Sequence, residues 1–99
     1  FQMMKCKNDE DKKRFKILNG FEAKKLGRKV ELRTDWDEVK VDVMRDVLKA
    51  KFKGRLLAKL RNVKVGIVED NHWGDRYWGV CNGVGENMLG KLLMEIRDV

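Results

Sequence analysis

Residues 78–97 read WGVCNGVGENMLGKLLMEIR, a glycine-rich turn that runs directly into an apolar helix. Glycine allows positive φ angles and a close approach of the main chain, and the free N–H groups at a helix start attract anions. The turn therefore predicts either a corner that holds a phosphate or a ribose, or a tight corner without chemistry. Its spacing is neither a Walker A loop nor G-x-G-x-x-G, so the residues alone leave both interpretations open.

Outward from this turn, the sequence predicts a mainly α, multihelical single domain with a small β element before the last helix. Residues 87–99 form the last helix, in which apolar side chains recur at helical spacing and face inward, namely Leu89, Leu92, Leu93 and Ile96. Residues 64–70 and 76–80 contain the β-branched and aromatic side chains typical of strands.

The first half of the chain predicts helices that glycines end, because proline is absent. Residues 1–7 are typical of the end of a helix. Asn8 or Asp9 caps a helix that Gly20 ends, and a short helix is closed by Gly27. A long amphipathic helix then covers residues 34–53, and another follows Gly54 over residues 55–63.

Composition limits the class of protein. Ninety-nine residues correspond to one domain, and a net charge of +7 favours anionic partners such as nucleic acid, nucleotides or phosphorylated metabolites. A basic, solvated surface explains the charge equally well. The basic residues are interpreted as spread through the chain and mixed with acids, without a polybasic block.

The cysteines and the histidine exclude a structural zinc site. Cys6 and Cys81 lie far apart, and with His72 they cannot supply four ligands at zinc spacing. Reduced thiols predict a cytoplasmic protein. No apolar run predicts a membrane span, and no signal peptide is evident.

Several residues could carry chemistry, each with an ordinary alternative. Trp78, near glycines, could stack on a base or sugar, or it could anchor the core. Asp75 is a candidate for acid–base work, although acids in turns are usually only solvated. Lys5, in an apolar stretch, could be a nucleophile with a lowered pKa, or it could extend to solvent.

Three segments in order carry a resemblance to a known family: DWDEVKVDVMRDVLKAKF, VKVGIVED and YWGVCNGVGENMLGKLLMEIR. Together with GRKVELRTDW and the opening FQMMK, which matches the end of E-x-x-[FY]-Q-x-x-K, they resemble the NADAR domain of YbiA-like N-glycosidases. The resemblance covers essentially the whole chain, and G-x-N-x-L-G-x-L-L-M-x-x-R is its most specific part.

The resemblance implies hydrolysis of an N-glycosidic bond without a metal or a redox cofactor. Its substrates are ribosylated pyrimidine intermediates of riboflavin synthesis or ADP-ribosylated guanine in nucleic acid, both of which carry phosphate. Lys5 would attack the anomeric carbon, with the motif glutamate moving protons and Gln2 on the same helix face. Trp36 would stack on the base, and the pocket wall would contain Gly83, Gly85 and Asn87.

The chain also departs from the family pattern. The motif glutamate would precede Phe1, so we expect the natural N-terminus to lie upstream and residues 1–99 alone to be inactive and poorly folded. Val80 stands where some members have an aspartate, so Asp75 or Glu86 is the candidate acid. A module that binds ADP-ribose or nucleic acid without cleavage, and a purely structural basic protein, are the alternative functions.

Overall fold

Five α-helices, one short 3-10 helix and one small sheet make up the computed structural model, which describes residues 1–99. The 3-10 helix is Gln2–Lys5, and the α-helices are α1 (Asp9–Arg14), α2 (Gly20–Gly27), α3 (Trp36–Lys51), α4 (Gly54–Arg61) and α5 (Met88–Arg97). Strands β1 (Asp70–Asn71) and β2 (Val80–Cys81) precede α5. The predicted fold class, mainly α with a small β element before the last helix, is confirmed. Residues 1–43 and 44–99 form two compact units.

Two asparagine caps set the helix boundaries of the first unit. The Asn8 side chain accepts a hydrogen bond from the Asp11 N–H at 2.9 Å and starts α1. The prediction that this helix ends at Gly20 is wrong, because α1 ends at Arg14. Gly20 is instead the first residue of α2, since Asn19 caps that helix in a reciprocal capping box with Glu22.

The core of the first unit lies beneath α2 and the 3-10 helix. Its buried residues are Cys6, Phe15, Leu26 and Val30. The chain after the 3-10 helix pairs with residues 31–33, because the Lys7 N–H donates to the Glu31 carbonyl and the Arg33 N–H donates to the Lys5 carbonyl, both at 2.9 Å. This pairing holds the main-chain carbonyl of Lys5 in place.

Apolar residues at helical spacing bury one face of α4 and of α5 in the second unit. Leu60 of α4 is buried, as are Leu92 and Ile96 of α5, and the two helices pack on each other. The inward orientation predicted for Leu92 and Ile96 is confirmed, whereas Leu89 and Leu93 are half-buried.

The two predicted strands are far shorter than expected. Only Asp70–Asn71 and Val80–Cys81 form strands, paired in parallel with Asp70 opposite Val80. Most of residues 76–80 cannot extend a sheet, because their carbonyls accept hydrogen bonds from residues 86–89 at the start of α5. The aromatic residues between 76 and 80 therefore belong to a turn that packs against the start of α5.

Candidate functional site

In the first unit, the side chains of Gln2 and Lys5 lie against Gly27. A 3-10 helix has about three residues per turn, so residues three apart lie on one face. A Cβ atom built on Gly27 would lie 2.8 Å from Gln2 Cδ and 3.0 Å from Lys5 Cε. The absence of a side chain at Gly27 thus creates the space for both residues. We call Gln2, Lys5, Gly27 and Arg28 the Lys5 corner.

Lys5 lies in surroundings that favour its neutral form. Burial lowers the pKa of the Lys5 ammonium, an effect opposed by the nearby Cys6 thiol and reinforced by the positive charge of Arg28. Lowering the pKa of a lysine raises the fraction present as a neutral amine at a given pH. The side chain is therefore suited to act as a nucleophile.

The amide of Gln2 adds an acceptor beside this amine. Gln2 Oε1 is buried and has no hydrogen-bond partner in the structure. A buried polar atom without a partner is costly and calls for an explanation such as a ligand. An acceptor beside an amine is suited to bind a hydroxyl group, as on a sugar.

Trp36 is connected to Lys5 through one residue. The Arg33 N–H donates to the Lys5 carbonyl at 2.9 Å, and the Trp36 N–H donates to the Arg33 carbonyl at 3.2 Å. The indole is only 8% exposed and lies 5.3 Å from the Phe1 ring centroid. Trp36 is thus largely a packed side chain, and its predicted stacking on a base depends on the ring edge that stays accessible.

In the second unit, main-chain carbonyls of the preceding turn accept hydrogen bonds from N–H groups at the start of α5. The N–H groups of Met88 and Leu89 donate to the carbonyls of Tyr77 and Trp78 at 3.0 and 2.9 Å. The expectation that free helix N–H groups face a ligand here is wrong for these two groups. Their partners lie in the preceding turn, which the sequence pattern did not indicate.

Asn87 binds main chain through both atoms of its side-chain amide. Oδ1 accepts from the Glu69 N–H at 3.0 Å, and Nδ2 donates to the Ile67 carbonyl at 2.9 Å. The residue has a positive φ of 54°, a conformation that asparagine tolerates better than most residues. Asn87 therefore joins a distant segment to the first turn of α5.

The two predicted pocket glycines differ in their surroundings. A Cβ on Gly85 would lie 3.0 Å from Val80 Cα and 3.1 Å from the Arg76 carbonyl oxygen, and it would also meet the Gly79 carbonyl. No atom lies within 4 Å of a Cβ built on Gly83. Gly85 thus serves close packing of the chain on itself, and of these two glycines Gly83 is the one with open space.

Asp75 shapes the turn that contains Trp78. Asp75 Oδ1 accepts hydrogen bonds from the N–H groups of Tyr77 at 3.1 Å and Trp78 at 3.0 Å. The rings of Tyr77 and Trp78 meet edge to face with centroids 5.0 Å apart. Glu86 is exposed, and its N–H donates to the Arg76 carbonyl at 2.8 Å. Asp75 and Trp78 are therefore brought together, with a structural role for the carboxylate.

The charge distribution is the feature that the sequence analysis missed. Residues 45–64 contain eight basic residues and one acid, so this stretch alone carries a net charge of +7, equal to that of the whole chain. The interpretation of evenly spread basic residues is therefore wrong. Counting charges in a sliding window would have found the stretch.

Two general features complete the description. None of the helices has both the length and the apolar character needed to cross a membrane. Histidine, cysteine and carboxylate side chains do not gather in groups of three or more that could hold a metal ion.

Comparison with known proteins gives consistent results. A family model described as NADAR domain matches residues 1–99, which include both units. N-glycosidase YbiA of Escherichia coli strain K12 is 40% identical over 81 residues, covering 77% of this chain and 51% of that protein. The chloroplastic riboflavin biosynthesis protein PYRR of Arabidopsis thaliana is 41% identical over 81 residues, covering 74% of this chain and 13% of that protein.

A solved structure is also similar. The NMR structure of the E. coli protein YbiA matches with a TM-score of 0.85 and 35% identity, covering 98% of this chain and 61% of that chain. The chain spans about half the length of the bacterial N-glycosidases that it matches.

Proposed function

The chain belongs to the NADAR domain family, and on that premise we propose that it hydrolyses the N-glycosidic bond between a ribose and a nucleobase-like heterocycle. The names of similar bacterial proteins, N-glycosidase YbiA, support this activity. We propose further that residues 1–99 act as one domain, and that the protein works in the cytoplasm, where its buried free cysteines stay reduced.

The observation that carries the proposal is the Lys5 corner. It combines an amine whose pKa is lowered by burial with a buried acceptor, Gln2 Oε1, that lacks a donor. A sugar hydroxyl would supply that donor and would bring the anomeric carbon near the amine. This arrangement favours catalysis over the alternative of binding without cleavage.

The reaction proceeds through a covalent intermediate on Lys5. The lone pair of neutral Lys5 Nζ forms a bond to C1′, and the electron pair of the C1′–N bond leaves with the heterocycle, which takes up a proton. The ring C1′–O4′ bond then breaks toward oxygen, which takes the proton from nitrogen, and leaves a Schiff base. Addition of water to this bond releases the open ribose aldehyde and restores the amine.

The proton for the departing base requires an acid. Within residues 1–99 the candidates are Asp75 and Glu86. Asp75 Oδ1 already holds two N–H groups, whereas Glu86 is exposed. The resemblance gives the proton transfer at Lys5 to the glutamate of the E-x-x-[FY]-Q-x-x-K motif, and Glu86 is the more accessible acid of these two in the second unit.

The substrate class follows from the relatives and from charge. One relative is named a riboflavin biosynthesis protein, which supports a phosphoribosylated pyrimidine intermediate. ADP-ribosylated guanine in nucleic acid is the second candidate, and both carry phosphate. The positive charge of Arg28, which acts on Lys5, favours a phosphorylated substrate in either case.

Borohydride trapping tests the proposal directly. Reduction during turnover should fix a ribosyl adduct on Lys5, identified by peptide mass spectrometry. Lys5→Arg keeps the charge but stays protonated, so both turnover and the adduct should disappear. Lys7→Arg is the matched control, because Lys7 is exposed and pairs with Glu31 at 3.2 Å.

The pH dependence gives a second readout. The trapping rate should rise with pH as Lys5 loses its proton, with a midpoint below the ordinary lysine value of 10.5. The unfolding free energy should also rise across that window, because the unfolded chain binds more protons there than the folded chain. Undiminished turnover in Lys5→Ala would refute the assignment.

A further inference from the structure

A basic groove lies in the second unit between the end of α3, α4 and the end of α5. It encloses about 570 Å³ and has an apolar floor that includes Phe52, Leu57 and Ile96. Four basic side chains line it, namely Arg45, Lys49, Lys53 and Arg61. Glu95 also lines the groove and pairs with Arg45 at 2.8 Å. The groove therefore keeps a surplus of positive charge.

The positive surface continues beyond the groove. A second depression of about 330 Å³ shares Arg61 with the first and adds Lys64 and Arg97. Arg97 is engaged there by Asp98 at 2.7 Å and by the Val65 carbonyl at 2.6 Å. Lys64, whose ammonium donates to the Arg61 carbonyl at 3.0 Å, adds one cation beside the groove.

The basic groove coincides with the stretch of sequence whose net charge equals that of the whole chain. Residues 45–64 hold eight basic residues and one acid, while the rest of the chain holds fifteen of each. Arg45 and Lys49 lie one turn apart on α3, a rise of about 6 Å. Lys53 lies between α3 and α4, and Arg61 is the last residue of α4, so successive segments of the chain each contribute a cation.

We infer that the basic groove binds the phosphate backbone of a single nucleic acid strand. A small anion would occupy one depression, whereas these cations line two depressions that adjoin at Arg61. A membrane surface is flat and would not reach a concave floor. A flexible polyanion meets each cation in turn and gains affinity from counterion release.

The inference stands apart from the N-glycosidase proposal. Binding is measured at equilibrium with unmodified DNA, which carries no ADP-ribose and whose sugar is 2′-deoxyribose rather than ribose, and Lys5 trapping is measured separately. If a groove variant loses DNA binding but still forms the Lys5 adduct, the catalytic proposal stands. If a Lys5 variant loses the adduct but still binds DNA, the groove proposal stands.

Fluorescence anisotropy of a labelled single-stranded DNA oligonucleotide tests the inference. We expect a Kd of about 1 to 100 μM near physiological salt. Three phosphate contacts, by Lys49, Lys53 and Arg61, should give a slope of about −2 for log K against log salt concentration. Lys49→Glu with Lys53→Glu should weaken binding at least tenfold and make the slope shallower by about 1.4.

The matched control is Lys13→Glu with Lys16→Glu, which changes net charge equally at two exposed positions of the first unit. It should bind nearly as wild type does. Equal weakening by both double variants would overturn the inference in favour of net charge alone. Lys49→Gln with Lys53→Gln, which adds no acid, should still weaken binding, and thermal unfolding of each variant checks that folding is retained.

Two further experiments test whether the groove binds a polyanion other than nucleic acid. Polyglutamate that displaces the DNA at equal charge concentration would overturn the inference in favour of an acidic protein. Phosphatidylserine vesicles test for a membrane surface. The inference would be overturned if the wild-type protein bound these vesicles but not DNA, and if Lys49→Glu with Lys53→Glu abolished the vesicle binding.

Discussion

The Lys5 corner and the turn before α5 both depend on a glycine that lets neighbouring atoms approach, but they use their polar groups in opposite ways. Around Gly85, carbonyls and N–H groups of residues 76–89 satisfy one another. Around Gly27, Gln2 Oε1 is buried without a partner, and Lys5 has a lowered pKa because of its burial. The hydrogen bonds around Gly85 are completed within the protein, whereas the buried acceptor near Gly27 is left for the ligand that we propose.

Among the substitutions that test this comparison, Gly85→Ala should cause the largest loss of unfolding free energy. The residue has a φ of +154°, and a Cβ there would meet main-chain atoms that cannot swing aside. Strained dihedrals and overpacking together should cost about 3 kcal/mol of unfolding free energy or more.

Gly83→Ala is the matched control for that substitution. Gly83 has a φ of +78° but no atom within 4 Å of the added Cβ, so it should lose only about 1 to 2 kcal/mol. Denaturant unfolding of both variants measures the difference. Similar losses would show that backbone angle alone makes glycine necessary at both positions.

Gly27→Ala should separate activity from stability. The added Cβ would displace the flexible ends of Gln2 and Lys5, while alanine favours the helix by about 1 kcal/mol. We expect borohydride trapping to slow about tenfold, or 1.4 kcal/mol, with unchanged or greater stability. Gly20→Ala at the other end of α2 meets no atom within 4 Å and should trap normally.

Asp75→Asn should have the smallest effect. Asparagine keeps the Oδ1 acceptor that holds the N–H groups of Tyr77 and Trp78, so stability should change by less than about 1 kcal/mol. Asp75→Ala removes that acceptor and should cost about 1 to 2 kcal/mol. If Asp75 were the acid, Asp75→Asn would instead lose activity by about 100-fold or more while remaining folded.

The sequence predicted those features that depend on residues close together in the chain. The spacing of Leu92 and Ile96 was enough to place α5, whereas the roles that the family motif gives to Lys5 and Gln2 stay predictions. The short strands could not be foreseen in the same way, because the carbonyls of Tyr77 and Trp78 find their partners in α5 rather than in a neighbouring strand.

The roles of Asn87 and Trp36 show a second limit. The family resemblance gave Asn87 a place in a pocket wall, but its side-chain amide joins Glu69 and Ile67, which are remote in sequence. Trp36 was expected to face a cleft, but it is buried because the chain brings Phe1 against its ring. Such partners follow from tertiary packing, which local spacing does not record.

The amide of Asn87 closes a loop that begins near residue 67 and returns to the start of α5. Since the ends of this loop are clamped by Ile67, Glu69 and Asn87, residues added at its exposed tip near Gly83 would not displace the helix. Loop-closure entropy grows slowly, by about 0.6 kcal/mol for each doubling of length. The length of this tip can therefore change at little cost while the clamp holds the start of α5 in place.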